Sequence, residues 1–122
     1  MVDVICDTSF LIHIANTRIK NISNIETEIG SLNYVVPSVV LHELEKLVND
    51  SDKGIQAKST LDYIKNYKKI EISGTFADDA ILDYLKNNGG IIATMDKELK
   101  NKAKSLGSSV LSIANDRILL EQ

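Results

Sequence analysis

Two short apolar runs that each stop at an aspartate beside a hydroxyl residue constrain this chain more than any other feature. Ile91 to Ala93 follows a Gly-Gly breaker and ends abruptly at Thr94 and Asp96, after which a lysine-rich helical pattern begins. Such a run reads as a fully buried strand. Val2 to Cys6 repeats the arrangement, followed at once by Asp7-Thr8-Ser9 and an apolar helical run. Parallel strands would bring both carboxylates to one carboxyl edge, where open α/β sheets bind ligands at a switch in strand order. The expectation is a cluster of acids that holds a divalent metal.

At 122 residues the chain is read as one domain, 1–122, long enough to bury about two-thirds of its unfolded surface and to fold without disulfides. Its 43% hydrophobic and 25% charged residues exclude a disordered or fibrous chain. No apolar run approaches the ~18 residues needed to cross a bilayer, and Asp3 and Asp7 stand where a signal peptide would need basic residues. A cytoplasmic protein without membrane association is expected. Cys6 is the single cysteine, which rules out a disulfide framework and reads as a small core residue. The formal charge of −3 lacks the basic footprint of most nucleic-acid binders, but a metal-binding acid cluster counts as negative until its ion is present.

Strand and helix patterns alternate along the chain. Ser9 to Ala15 suits a short packed helix, and Ile19, Ile22, Ile25 and Ile29 lie near helical spacing until Gly30. Tyr34-Val35-Val36 reads as a second buried strand, with Pro37-Ser38 as a helix start. On the helix from about Val39 to Val48, the core stripe is Val40, Leu44, Leu47 and Val48. Glu43 falls inside that stripe, whereas Glu45 lies about 200° around the axis from it. A carboxylate on an apolar face is costly to bury without a partner, so spacing selects Glu43. Ile55, Ala57, Leu61, Ile64 and Tyr67 support another helix, and Lys69 to Ile72 a short third strand. Ala77, Ala80, Ile81, Tyr84 and Leu85 form the apolar face of the next helix. Asp78 lies at the flank of that face and Asp79 points nearly opposite it. After the strand at Ile91, the helix Lys97 to Leu106 closes at Gly107. Val110 to Ile113 and Ile118 to Leu120 are strand-like runs forming a terminal hairpin or one continuing edge. This alternation calls for a three-layer α/β fold, a central parallel sheet of four or five strands with helices on both faces.

Asp7, Glu43, Asp78 and Asp96 thus stand out by local position. Hard ions such as Mg²⁺ and Mn²⁺ prefer carboxylate and water oxygens, can activate water and can stabilise an in-line phosphoryl displacement. Each acid has a plainer reading: Asp96 could cap the helix after it, and Asp78 could complete a capping box with Thr75. Glu43 suits no cap, and four acids together favour the metal. His42 reads as a surface residue and His13 as a satisfied buried or half-buried histidine; the two cannot supply a zinc site or a triad. Lys97, Lys100, Lys102 and Lys104 are either a solvated face or a track for an RNA backbone.

Val4-Ile5-Cys6-Asp7-Thr8-Ser9, Val36 to Leu44, Ala77-Asp78-Asp79-Ala80-Ile81-Leu82 and Ile92 to Leu99 resemble, in order and across essentially the whole chain, the four signature blocks of PIN-domain ribonucleases. The resemblance extends to archaeal stand-alone PIN proteins, rRNA-processing PIN nucleases and VapC-type toxins. It implies a Mg²⁺- or Mn²⁺-dependent endoribonuclease in which Asp7, Glu43, Asp78 and Asp96 match the catalytic, metal-binding acids. Asp79 is the alternative third acid and could add a further metal ligand; Ser9, Thr94 and Glu98 would be auxiliary. Lys97, Lys100 and Lys104 would touch RNA, whether rRNA, tRNA or mRNA. The resemblance also implies a homodimer and an antitoxin or ribosome-assembly partner. Two other readings stand beside it. One is a non-catalytic RNA-binding or scaffold PIN domain. The other is a receiver-type phosphoacceptor, whose paired first-strand acids and late lysine have no match here.

Overall fold

The computed structural model describes residues 2–20 and 30–121, so the helical pattern through Ile22, Ile25 and Ile29 lies outside the described residues. The strands are β1 (Val2–Cys6), β2 (Leu32–Pro37), β3 (Lys68–Ile70), β4 (Ile91–Ala93), β5 (Ser109–Ala114) and β6 (Arg117–Glu121). Five helices flank them: α1 (Thr8–Asn16), α2 (Ser38–Leu47), α3 (Gly54–Tyr63), α4 (Ala77–Asn88) and α5 (Lys97–Ser105). The strands form one sheet in the order β3-β2-β1-β4-β5-β6.

β1 to β5 are parallel, and the centres of β1, β2, β4 and β5 bury Val4, Ile5, Val35, Ile92 and Leu111 completely. Near-continuous apolar strands of this kind require cover on both faces. Strand order runs outward from β1 through β2 to β3 on one side and through β4 to β5 on the other. With right-handed crossovers, that reversal puts helices on both faces and opens a crevice at the carboxyl ends of β1 and β4. The terminal runs form a hairpin: β6 pairs antiparallel with β5. Asn115 and Asp116, at φ 54° and 59°, fill a two-residue turn of the kind that matches strand twist.

Two elements depart from expectation. β3 ends at Ile70 because the chain beyond it serves α2. The Ile72 carbonyl accepts from Val39 N (3.1 Å) and Ser38 Oγ (2.9 Å), and Ile72 N donates to Ser38 Oγ (3.0 Å). In α3 the phase is rotated. Ile55 is 84% exposed while Ala57 and Thr60 are buried, because this helix packs closely on α1 and α2 through small residues. The buried Thr60 hydroxyl is satisfied by the Gln56 carbonyl at 2.7 Å. Among the described residues no helix is long and apolar enough to cross a membrane.

Candidate functional site

Asp7 leaves β1 at the crevice, where its backbone N–H donates to the Ala93 carbonyl of β4 at 2.9 Å. The residue is 6% exposed. Its Oδ2 accepts from Ser9 Oγ (3.0 Å) and Thr94 Oγ1 (2.8 Å). Both hydroxyls are held in turn: Thr94 Oγ1 accepts from Asp96 N (3.0 Å), and Ser9 Oγ from Met95 N (3.1 Å). The loop after β4 is thereby tied to the end of β1, and the Asp7 carboxylate is fixed in orientation. Buried carboxylates need such donors.

Asp96 is exposed and does cap α5, its Oδ1 accepting from Glu98 N (2.9 Å) and Leu99 N (3.1 Å). The capping box that is the plainer reading of Asp78 does not form: α4 begins after Phe76, with no side-chain cap. Asp78 instead turns to a cleft of about 600 Å³ that it lines with Asp7, Ser9, Glu43 and Asp96. Its carboxyl is raised above the ordinary aspartate range, first by partial burial and then by the negative charge of Asp7, Asp96 and Glu43. The four acids share one electrostatic field.

Glu43 reaches this cleft from α2, but it is exposed, so the burial cost used to select it does not apply. The stripe position carries it to the helix edge beside the crevice rather than into the core. Asp79 does not line this cleft, but it lines an adjoining groove with Glu43, Asp78 and Lys102. Glu98 also stands apart from the cleft, paired with Lys102 at 3.1 Å. Lys100 and Lys104 are drawn away from the expected RNA track to Glu121 of β6, at 2.9 and 2.7 Å. The Ser112 hydroxyl also donates to Glu121. Lys97 is exposed. His13 is half-buried as expected, yet its Nε2 has no hydrogen-bond partner among the described residues.

Lys53 and Gln56 line the cleft as well, and the sequence reading missed both. Their stretch reads as a polar loop running into a helix, and only the packing of α3 against α2 brings it to the acids.

The donor set of the cleft is all oxygen, and among the described residues no ion pair neutralises Asp7, Glu43, Asp78 or Asp96. No three His, Cys, Asp or Glu groups among the described residues converge closely enough to enclose an ion. The arrangement fits a hard divalent ion that keeps part of its water shell, and not a closed cage.

Residues 4–115 match the family described as PIN like domain. Over 108 residues the chain is 38% identical to Ribonuclease VapC4 of Methanocaldococcus jannaschii, an alignment covering 84% of this chain and 82% of that protein. The solved structure of the PIN domain endonuclease Utp24 superposes with a TM-score of 0.76 at 27% identity, covering 98% of this chain and 93% of that one. VapBC2 from Rickettsia felis, solved bound to a DNA fragment from its promoter, shares the fold with a TM-score of 0.66 at 18% identity, over 92% and 99% of the two chains.

Proposed function

Because the chain belongs to the PIN-like domain family, we propose that it is a metal-dependent endoribonuclease that hydrolyses RNA phosphodiester bonds. The observation that carries this reading is the fixed Asp7 carboxylate in one cleft with Glu43, Asp78 and Asp96, none of them in an ion pair among the described residues. Asp7 and Asp96, with Glu43 and Asp78 acting directly or through bound water, are the acids proposed to hold Mg²⁺ or Mn²⁺. Such an ion, when bound, supplies Lewis-acid stabilisation of the phosphoryl oxygens and an activated water. Thr94 and Ser9 hold Asp7 in place; Asp96 acts from the mouth of the cleft, where its capping bonds fix its rotamer. Lys97 is the proposed RNA contact on α5, since Lys100 and Lys104 are engaged by Glu121.

The likeness to Ribonuclease VapC4 supports a VapC-type toxin as the first biological role, with rRNA processing as the second. On this reading the protein is cytoplasmic and homodimeric, and an antitoxin is its partner. The purified protein should cut rRNA or tRNA in Mg²⁺ or Mn²⁺, with no cuts in EDTA. Metal binding without any cleavage would instead favour a non-catalytic RNA-binding domain.

A further inference from the structure

Four carboxylates in one cleft repel the polyanion they are proposed to cut, so a cation must offset them where the strand enters. Most lysines with a described partner are already committed. Lys100 and Lys104 hold Glu121, Lys102 holds Glu98, and Lys65 holds Asp62. Lys69 donates to the carbonyls of Ile64, Lys65 and Tyr67. Lys53 is different: it is the one basic residue lining the acid cleft among the described residues, and although its charge acts on Asp50 it forms no described ion pair.

The backbone of Lys53 is also held firmly. Asp50 Oδ1 accepts from Asp52 N (2.8 Å) and Lys53 N (2.9 Å), and the Asp50 carbonyl accepts from Gly54 N (3.0 Å). At Gly54 the chain passes so close to α2 that an added Cβ would stand 2.6 Å from the Val48 carbonyl oxygen. The tight turn from α2 to α3 thus presents a lysine on the same cleft that Glu43 and Leu47 of α2 line.

We propose that Lys53 binds a backbone phosphate of the RNA strand in the acid cleft, a contact that positions the substrate without reading its sequence. This inference rests on the ribonuclease reading above.

The test is equilibrium binding of a short fluorescein-labelled single-stranded RNA in EDTA over a salt series, comparing the wild type with Lys53→Gln, Lys53→Arg and Lys58→Gln. Lys58 is exposed on the same helix and does not line the cleft. Lys53→Gln should weaken binding about tenfold at low salt, the scale of one charged contact. It should also flatten the dependence of log Kd on log salt by about 0.7, the value for one phosphate of a single strand. Lys53→Arg should restore both, and Lys58→Gln should change neither. Binding by Lys53→Gln equal to that of the wild type, or weakened no more than by Lys58→Gln, would overturn the proposal. If the wild type cleaves RNA in Mg²⁺ while Lys53→Gln binds normally, this inference fails and the nuclease stands. If binding depends on Lys53 and no metal supports cleavage, the nuclease fails and the contact stands. A wild type that binds no RNA in EDTA would overturn this inference and leave the nuclease to its cleavage test.

Discussion

Thr94 does two jobs with one hydroxyl, donating to Asp7 Oδ2 and accepting from Asp96 N, and it is fully buried. Thr94→Val keeps the shape and leaves both partners short of a bond, so it should cost roughly 1–3 kcal/mol in urea denaturation. Cleavage should fall with it, because Asp7 would then be oriented by Ser9 alone. Asp96 allows its structural and chemical roles to be separated. Its Oδ1 caps α5, a task that an asparagine oxygen also performs. Asp96→Asn should therefore keep the wild-type stability while Asp96→Ala loses about 1 kcal/mol, and both should lose cleavage. An Asp96→Asn protein that cuts RNA at the wild-type rate would reduce this residue to a cap. Asp7 and Asp96 are legible as candidates from local pattern alone, because each follows a buried run directly. Glu43 was found by its stripe position but for an incomplete reason, since it is exposed. Lys53 carries no local signal at all.

At the scale of elements, β6 is fastened to α5 by Glu121. Its carboxyl is held down from 4.5 to about 2, first by the Lys104 ammonium, then by the Ser112 hydroxyl and Lys100. A folded-state value below the unfolded one gives stability that is present above pH 4.5 and is lost as pH falls toward about 2. Glu121→Gln should remove that increment at neutral pH, on the order of 1 kcal/mol once solvent screening is counted. The gap between variant and wild type should close as pH is lowered through the same window, as followed by urea midpoints at stepped pH. A gap that stays constant would mean that the variant disturbs packing and not charge. Strands at the sheet centre were readable because residues such as Ile5 and Ile92 are buried on both faces. The phase of α3 was not, because Ile55 points outward and Thr60 inward, an assignment made by the closeness of α1 and α2. The end of β3 was hidden for a related reason: Ser38, far along the chain, takes the backbone bonds of Ile72.

For the molecule as a whole, the switch in strand order between β1 and β4 explains why acids so distant in sequence share one cleft. Parallel strands and strand-end acids were enough to expect that meeting. Helix phase favoured Asp78 over Asp79, and the cleft contains Asp78. What the pattern could not supply was the position of α3, which brings Lys53 and Gln56 to the acids from non-local packing. An ion bound by these acids should stabilise the folded chain by mass action, about 2.7 kcal/mol at a hundredfold excess over Kd. Mn²⁺ should accordingly raise the thermal midpoint of the wild type and not that of Asp7→Asn; equal shifts in both would place the ion elsewhere. The most direct test of the central claim is cleavage of RNA by purified protein in Mg²⁺ or Mn²⁺, with EDTA and Asp7→Asn as controls. The account predicts discrete cuts that disappear in both controls while Asp7→Asn remains folded. Cuts that persist in Asp7→Asn, or no cuts by the wild type in either metal, would contradict it.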